Sequence, residues 1–343
     1  SWSRNPEKPN RSPNAPETMG GYALESNQLM YLKNKMALEA KYGEKIIREN
    51  WLDKGPEYEC ADVPDDTYDD GYNTNAAIAT LLDMQKKGNK PWFLALGLKK
   101  PHLDWIAPKK YWDMYDENNI PIATNINPPK DGAAMGLSES LEVRVGADMP
   151  KTGDFSPELQ RKLRHAYYAC ISYIDVQIGK MIQALKDCDL TGLKRPSHLE
   201  GHSIVPLLKK PKQQWQKAAF SLFPTPALRE WAALPFTAPF RTTFFMPLIE
   251  KIESRIKDQM GDKWNRNTFE KFVMGYAMRT DRYRMVVWKD RRHPNDQPIF
   301  IELYDHKIDP DETVNIATQN SGLIKELMMT FNGGWQKSLK GYK

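Results

Sequence analysis

From Trp92 to Leu98 the chain is almost wholly apolar, and it then turns abruptly to Lys99, Lys100, Pro101, His102 and Asp104. An apolar run of that length without alternation suits a strand buried on both faces of a sheet, and Pro101 cannot continue its ladder. Upstream, Asp69-Asp70-Gly71-Tyr72 reads as a turn. Ala76, Ala77, Ile78, Leu81, Leu82 and Met84 then recur at near-helical spacing and predict a helix over Thr74 to Lys87. Leu24 to Asn50 is rich in helix formers and offers Met30, Leu32, Met36, Leu38 and Ile46 for burial. Ser156-Pro157-Glu158 supplies an N-cap and a proline at the first helical position. Leu159, Leu163, Tyr167, Ile171, Ile174, Ile178, Met181 and Leu185 extend the strongest helical stripe of the chain.

A helix feeding a fully apolar strand favours an α/β fold, with a parallel or mixed sheet sandwiched by helices. In that alternation another buried strand should follow Leu185. None is visible: Asp187 to Pro196 runs straight into a proline-punctuated loop, with a short apolar piece from Ile204 to Leu208. Residues 106 to 156, rich in Pro, Asn, Asp and Gly, also read as a long loop. The C-terminal third differs in texture. Tyr276 to Trp288 reads as two short strands joined by a polar turn and Phe300 to Asp305 as a third, an antiparallel meander with Leu323 to Phe331 as an amphipathic helix upon it. The expected parts are an extended arm over residues 1–20, an α/β part over 21–214 and a smaller α+β part over 215–343.

Composition leaves this picture standing. Apolar residues are 40% and charged residues 27% of 343, globular values despite a mean hydropathy of −0.67. A net charge of +5, interleaved rather than gathered, argues against a dedicated nucleic-acid binder and leaves room for a basic pocket for a small anion. No apolar run is long enough for a membrane helix. Ser1 to Pro16 is polar and proline-rich, unlike a signal peptide, as a mature secreted protein also would be. Cys60, Cys170 and Cys188 form neither a CxxC pair nor a disulfide framework, and Cys170 falls in a helical apolar pattern as a core residue.

The candidate chemistry centres on His102. It stands at the rim beyond a predicted strand end, where open α/β sheets place their ligands, and the competing reading is a surface-loop histidine. Asp69-Asp70 reads as a solvated turn rather than a metal pair. His165 reads as a partly exposed structural histidine. Asp305, His306, Asp309, Asp311 and Glu312 read as a turn rather than a calcium site, and Arg279, Arg282 and Arg284 as a solvated hairpin face.

Several segments in order resemble the sulfatases, in particular an iduronate-2-sulfatase-like branch. They are Lys100-Pro101-His102 after an apolar run, the Tyr-Tyr-Ala-containing helix from Arg161 to Leu185, and Gly275-Tyr276-Ala277-Met278-Arg279-Thr280. They continue with Glu302-Leu303-Tyr304-Asp305 followed by Asp309 to Asn315, and with His198-Leu199-Glu200-Gly201 followed by Val205-Pro206-Leu207-Leu208. The resemblance implies an alkaline-phosphatase/sulfatase-like mixed sheet with a small C-terminal four-stranded sheet, and hydrolysis of sulfate esters on sulfated carbohydrates. It implies His102 as the group that contacts sulfate and protonates the leaving oxygen. Beside it, Lys100 reads either as added positive charge or as a solvated lysine, and Asp104 and Trp105 as the sugar side, with core or rim packing the competing reading for Trp105. The resemblance also implies calcium, a formylglycine made within a C/S-x-P-x-R motif, and a secreted, periplasmic or lysosome-like location.

The sequence departs from that pattern. Cys60 is followed by Ala61-Asp62, Cys170 by Ile171-Ser172 and Cys188 by Asp189-Leu190, so none begins the nucleophile motif. The paired aspartates and the DHG-type strand that hold calcium in the family are not found either. Two expectations follow: a sulfatase whose catalytic parts belong to a complete polypeptide, or a catalytically incomplete scaffold that binds an anion or glycan. A sheet lacking an inner strand would expose unpaired edges, so this chain by itself is expected to be poorly soluble or molten.

Overall fold

The computed structural model describes residues 5–87, 92–190, 205–212, 218–231, 234–235 and 238–338, and the chain divides into two compact units. The first comprises residues 1–122 with 142–199, and the second comprises 123–141 with 200–343.

In the first unit, helices α1 (Glu25–Tyr42) and α2 (Glu44–Glu49) precede strand β1 (Tyr58–Ala61), and helix α3 (Asp69–Lys86) crosses to strand β2 (Trp105–Pro108). The two strands pair in parallel, Tyr58 opposite Trp105 through Ala61 opposite Pro108, as expected of strands joined by a helical crossover. Helix α4 (Lys109–Trp112) follows directly, and α5 (Pro157–Asp187) packs on β2 and α3. Ser156 caps α5, its hydroxyl accepting from the Leu159 amide at 3.2 Å, with Pro157 in the first turn. Small residues set how closely α5 approaches the strands: Ala166, Ala169 and Cys170 are buried with Ile106 and Ala107, ringed by Tyr22, Tyr68, Tyr111, Trp112 and Tyr173.

Three expectations are corrected here. Trp92 to Leu98 is not a strand: among the described residues it joins no sheet, with Trp92 and Phe93 exposed and Leu94 packed against the cluster of Leu81, Ala184 and Cys188. An apolar segment becomes a strand only where a neighbour completes its ladder, and among the described residues no strand lies beside it. The segment read as the long loop contributes β2 and α4 instead. Helix α1 forms without burying any residue fully, and Met30, Leu32 and Met36 are exposed, whereas Ile47 of α2 is the buried position. The absent strand after Leu185, the proline-punctuated loop and His198-Leu199-Glu200-Gly201 lie outside the described residues.

In the second unit, α6 (Val205–Lys209) precedes β3 (Ala219–Phe223), and a small antiparallel pair follows, β4 (Arg229–Trp231) with β5 (Leu234–Pro235). Next come α7 (Ala238–Arg241), α8 (Met246–Met260) and α9 (Arg266–Lys271), then β6 (Val273–Arg279), β7 (Tyr283–Asp290) and β8 (Phe300–Asp305), and finally α10 (Ser321–Ser338). The sheet is antiparallel in the order β3-β6-β7-β8. Met278, Met285, Val287 and Leu303 pack beneath Leu323, Ile324, Leu327 and Phe331 of α10. The mixed α/β architecture, a parallel pair among helices in one unit and a four-stranded antiparallel sheet with its covering helix in the other, is thus as expected.

Candidate functional site

The loop that carries His102 is held from three directions. From below, Asp70 in the first turn of α3 accepts from the Lys99 amide at 2.7 Å through Oδ1 and from the Lys100 amide at 2.9 Å through Oδ2. From within, Lys100 turns back on its own loop, its Nζ donating to the carbonyls of Asp104 and, at 3.4 Å, His102. From the strand side, the Trp105 indole donates to the Pro101 carbonyl at 3.0 Å and meets Tyr167 edge-on at 5.9 Å.

His102 projects from this frame, with half its side chain exposed. Its Nδ1 lies 2.8 Å from the Leu103 carbonyl. A carbonyl only accepts, so Nδ1 carries the hydrogen and Nε2 is the nitrogen presented outward. Nε2 faces the Glu142 carboxylate at 3.4 Å, a counter-charge suited to the protonated ring. An imidazole held in this way can hand a proton to an oxygen leaving group at the rim.

Lys100, Asp104 and Trp105 occupy different depths. Burial of the Lys100 ammonium lowers its pKa, and the residue as a whole is half-buried. Asp104 is buried, 3.4 Å from the Lys54 ammonium and 3.4 Å from the Tyr22 hydroxyl. Lys100 and Trp105 are half-buried and His102 is exposed. Behind Asp104 stands Glu57, 1% exposed, whose carboxyl is pushed up to about 9 by burial first and by Asp104 next. Burial brings Lys151 down to about 8. Its Nζ donates to the carbonyls of Arg144, Val145 and Gly146.

Sequence reasoning passed over Asp70, Glu57 and Glu142. The solvated turn assigned to Asp69-Asp70 is corrected: Asp69 is exposed and pairs with Arg11 at 3.8 Å, whereas Asp70 is 4% exposed and grips the loop. His165 is buried rather than partly exposed, held between Glu117 at 3.0 Å and the Trp112 carbonyl at 2.9 Å. It borders a cleft of about 560 Å³ with Tyr58, Cys60, Tyr115 and Lys162. In the second unit, Arg282 pairs with Asp305 at 2.6 Å, Arg284 and His306 meet Glu312, and Asp309 accepts from Thr313 and Val314, which makes that acidic segment a turn.

Comparison with known proteins bears on what this geometry is for. The family model described as Sulfatase matches residues 15–191. Iduronate 2-sulfatase of Mus musculus is 33% identical over 138 residues, covering 38% of this chain and 25% of the relative. Arylsulfatase K of Gallus gallus is 27% identical over 299 residues, covering 74% of this chain and 53% of the relative. The chain therefore spans about a quarter to a half of the length of these relatives. Among solved structures, a phosphonate monoester hydrolase from Silicibacter pomeroyi aligns over 81% of this chain and 62% of its own, at 15% identity and a TM-score of 0.46.

Proposed function

Because this chain belongs to the sulfatase family, we propose that its first unit supplies the histidine wall of a site that hydrolyses sulfate esters on sulfated carbohydrates, uronate-type sugars included. The observation that supports this reading is the presentation of His102: Nδ1 is tied to the Leu103 carbonyl and Nε2 is turned outward beside Glu142. In that role Nε2 contacts the sulfate and protonates the leaving oxygen as the S–O bond breaks. Trp105 borders the sugar, Lys100 lends positive charge from within the loop, and Asp104 acts on the substrate only through the loop it anchors.

The nucleophile and the cation have no assigned residues. Calcium would stabilise the sulfuryl oxygens, and a formylglycine would attack sulfur. Among the described residues no three His, Cys, Asp or Glu side chains gather in a metal-holding arrangement. The described residues offer no set that fits the ion, and no step is routed through it. None of the three cysteines begins a C/S-x-P-x-R motif. Hydrolysis therefore belongs to a polypeptide that adds those groups, and these 343 residues alone are silent. Family membership supports a secreted, periplasmic or lysosome-like location. No helix among the described residues is long and apolar enough to cross a membrane.

The test is to incubate purified protein of this sequence with an aryl sulfate, with and without calcium, while the His102 ring resonances are followed as inorganic sulfate is added. The expected result is a sulfate-dependent shift of His102 without turnover. Turnover abolished by His102→Ala would overturn the incomplete-centre reading, and absence of any sulfate response would overturn the site itself.

A further inference from the structure

Asp70 joins the first turn of α3 to the backbone two and three residues before His102, as the Trp105 indole joins the strand side to the Pro101 carbonyl. The neighbourhood of Asp70 in that turn is fixed. The Tyr173 hydroxyl of α5 accepts from the Gly71 amide at 2.7 Å and donates to the Asp65 carbonyl at 2.9 Å. A Cβ on Gly71 would stand 2.1 Å from the Asp65 carbonyl oxygen, so the chain passes this point too tightly for any other residue. The Thr74 hydroxyl donates to the Asp70 carbonyl at 2.8 Å. A carboxylate on so rigid a base reaches across and takes one backbone amide on each oxygen, Lys99 on Oδ1 and Lys100 on Oδ2.

A small half-open pocket of about 70 Å³ borders the loop, lined by Gly20, Tyr68, Asp70, Lys100, Asp104 and Ile106 among others. The segment before it, Trp92 to Leu98, belongs to no sheet. With no ladder before it, the backbone from Lys99 to His102 is set by the two-pronged Asp70 carboxylate at Lys99 and Lys100 and by the Trp105 indole at Pro101.

We propose that Asp70 is a positioning residue for His102: it does not touch the substrate, and it fixes the backbone from which the imidazole is presented. This inference rests on the reading of His102 as the sulfate-contacting group. An amide at the same position offers one acceptor and one donor, so Asp70→Asn turns an N–H toward an N–H and releases one prong while preserving volume and burial. Asp70→Glu keeps both acceptors at a longer reach.

The experiment compares wild type, Asp70→Asn and Asp70→Glu by amide hydrogen exchange and by titration with inorganic sulfate followed at the His102 ring. The exposed His293, in the other unit, is the internal control. In Asp70→Asn the Lys99 and Lys100 amides should exchange about tenfold faster or more, while exchange in β6, β7 and β8 stays unchanged. The sulfate concentration that half-shifts His102 should rise about fivefold or more, with His293 unaffected. Asp70→Glu should recover part of both effects, and it decides the matter if the Asn variant does not fold. Wild-type exchange at Lys99 and Lys100, or wild-type sulfate response with the loop loosened, overturns the inference. A wild-type protein with no sulfate response at His102 overturns the functional reading instead, and amide exchange alone then decides whether Asp70 holds the loop.

Discussion

The parallel register that pairs Tyr58 with Trp105 sets the residues before them, Glu57 and Asp104, side by side at the entrances to β1 and β2, and both carboxyl groups are buried. The Trp105 amide donates to the Glu57 carbonyl at 2.8 Å, and the Glu57 amide donates to Asp148 Oδ1 at 3.0 Å. Tyr22 closes the group, and Lys54 and Lys151 are the cations that face it. A carboxyl raised from 4.5 to about 9 binds its proton more tightly in the folded protein than in the unfolded chain. The stability it contributes is complete below its unfolded value and is lost as pH climbs through its folded one. Asp148, also raised by burial, acts in the same sense, and Lys151 acts in the opposite sense only above its value of about 8.

The expected outcome is a melting temperature that declines from about pH 5 to 8, and a flatter profile in Glu57→Gln, the difference amounting to about 4 kcal/mol across that window. Thermal unfolding followed by near-ultraviolet circular dichroism checks it. Parallel curves for the two proteins would refute it.

The Tyr173 hydroxyl is the second fixed point of the unit. Tyr173→Phe keeps the ring on Tyr111, 5.4 Å away, and removes only the oxygen that joins the Gly71 amide to the Asp65 carbonyl. Two buried backbone groups are left without that partner, at a cost of about 1–3 kcal/mol. Gly71→Ala should cost more, because its new methyl meets backbone rather than a movable side chain. Urea unfolding of the three proteins gives the ranking, and a Phe variant as stable as wild type would contradict it.

These relations show which parts of the site could be read from the chain. Pro101 marked the end of the apolar run, and Ser156-Pro157 marked the start of α5, because both signals are local. Asp70 was also within reach: it shares a helical face with Thr74, Ala77 and Leu81, all buried, and Asp69 does not. Glu57 beside Asp104 was beyond reach, since it depends on a parallel register between distant segments. The strand assigned to Trp92 to Leu98 failed for a related reason. Its composition records a buried environment, and whether that environment is supplied is decided by other segments.

Asn315 organises the second unit in the same non-local way. Its Oδ1 accepts from the Leu303 amide at 2.9 Å and the Ala317 amide at 3.0 Å, and its Nδ2 donates to the carbonyls of Asp131 at 2.8 Å and Ile301 at 3.2 Å. Every hydrogen-bonding position of the amide is used, which is why the Asp309 to Asn315 turn ends in this residue. Asn315→Ala should destabilise the protein by about 2–4 kcal/mol. Asn315→Asp should be at least as harmful, because an anionic oxygen then faces two carbonyls. Calorimetric melting of the variants checks this, and a loss below about 1 kcal/mol for both would exclude the role.

The run from Trp92 to Leu98, which joins no sheet among the described residues, makes the last prediction. Phe93, Ala95 and Gly97 are exposed while Leu94, Leu96 and Leu98 are half covered, so one side of an uncharged, extended segment is open to solvent, with Phe93 78% exposed. A segment of this kind is a template for association with other chains, and a charge placed on its open face opposes pairing. The protein is expected to sediment as concentration-dependent oligomers. Phe93→Lys should shift the population toward monomer by about fivefold or more in association constant, without altering the melting of the second unit. Sedimentation velocity over a range of loading concentrations measures both proteins. A wild-type chain that stays monomeric and melts in one sharp cooperative step would show that this segment is already satisfied.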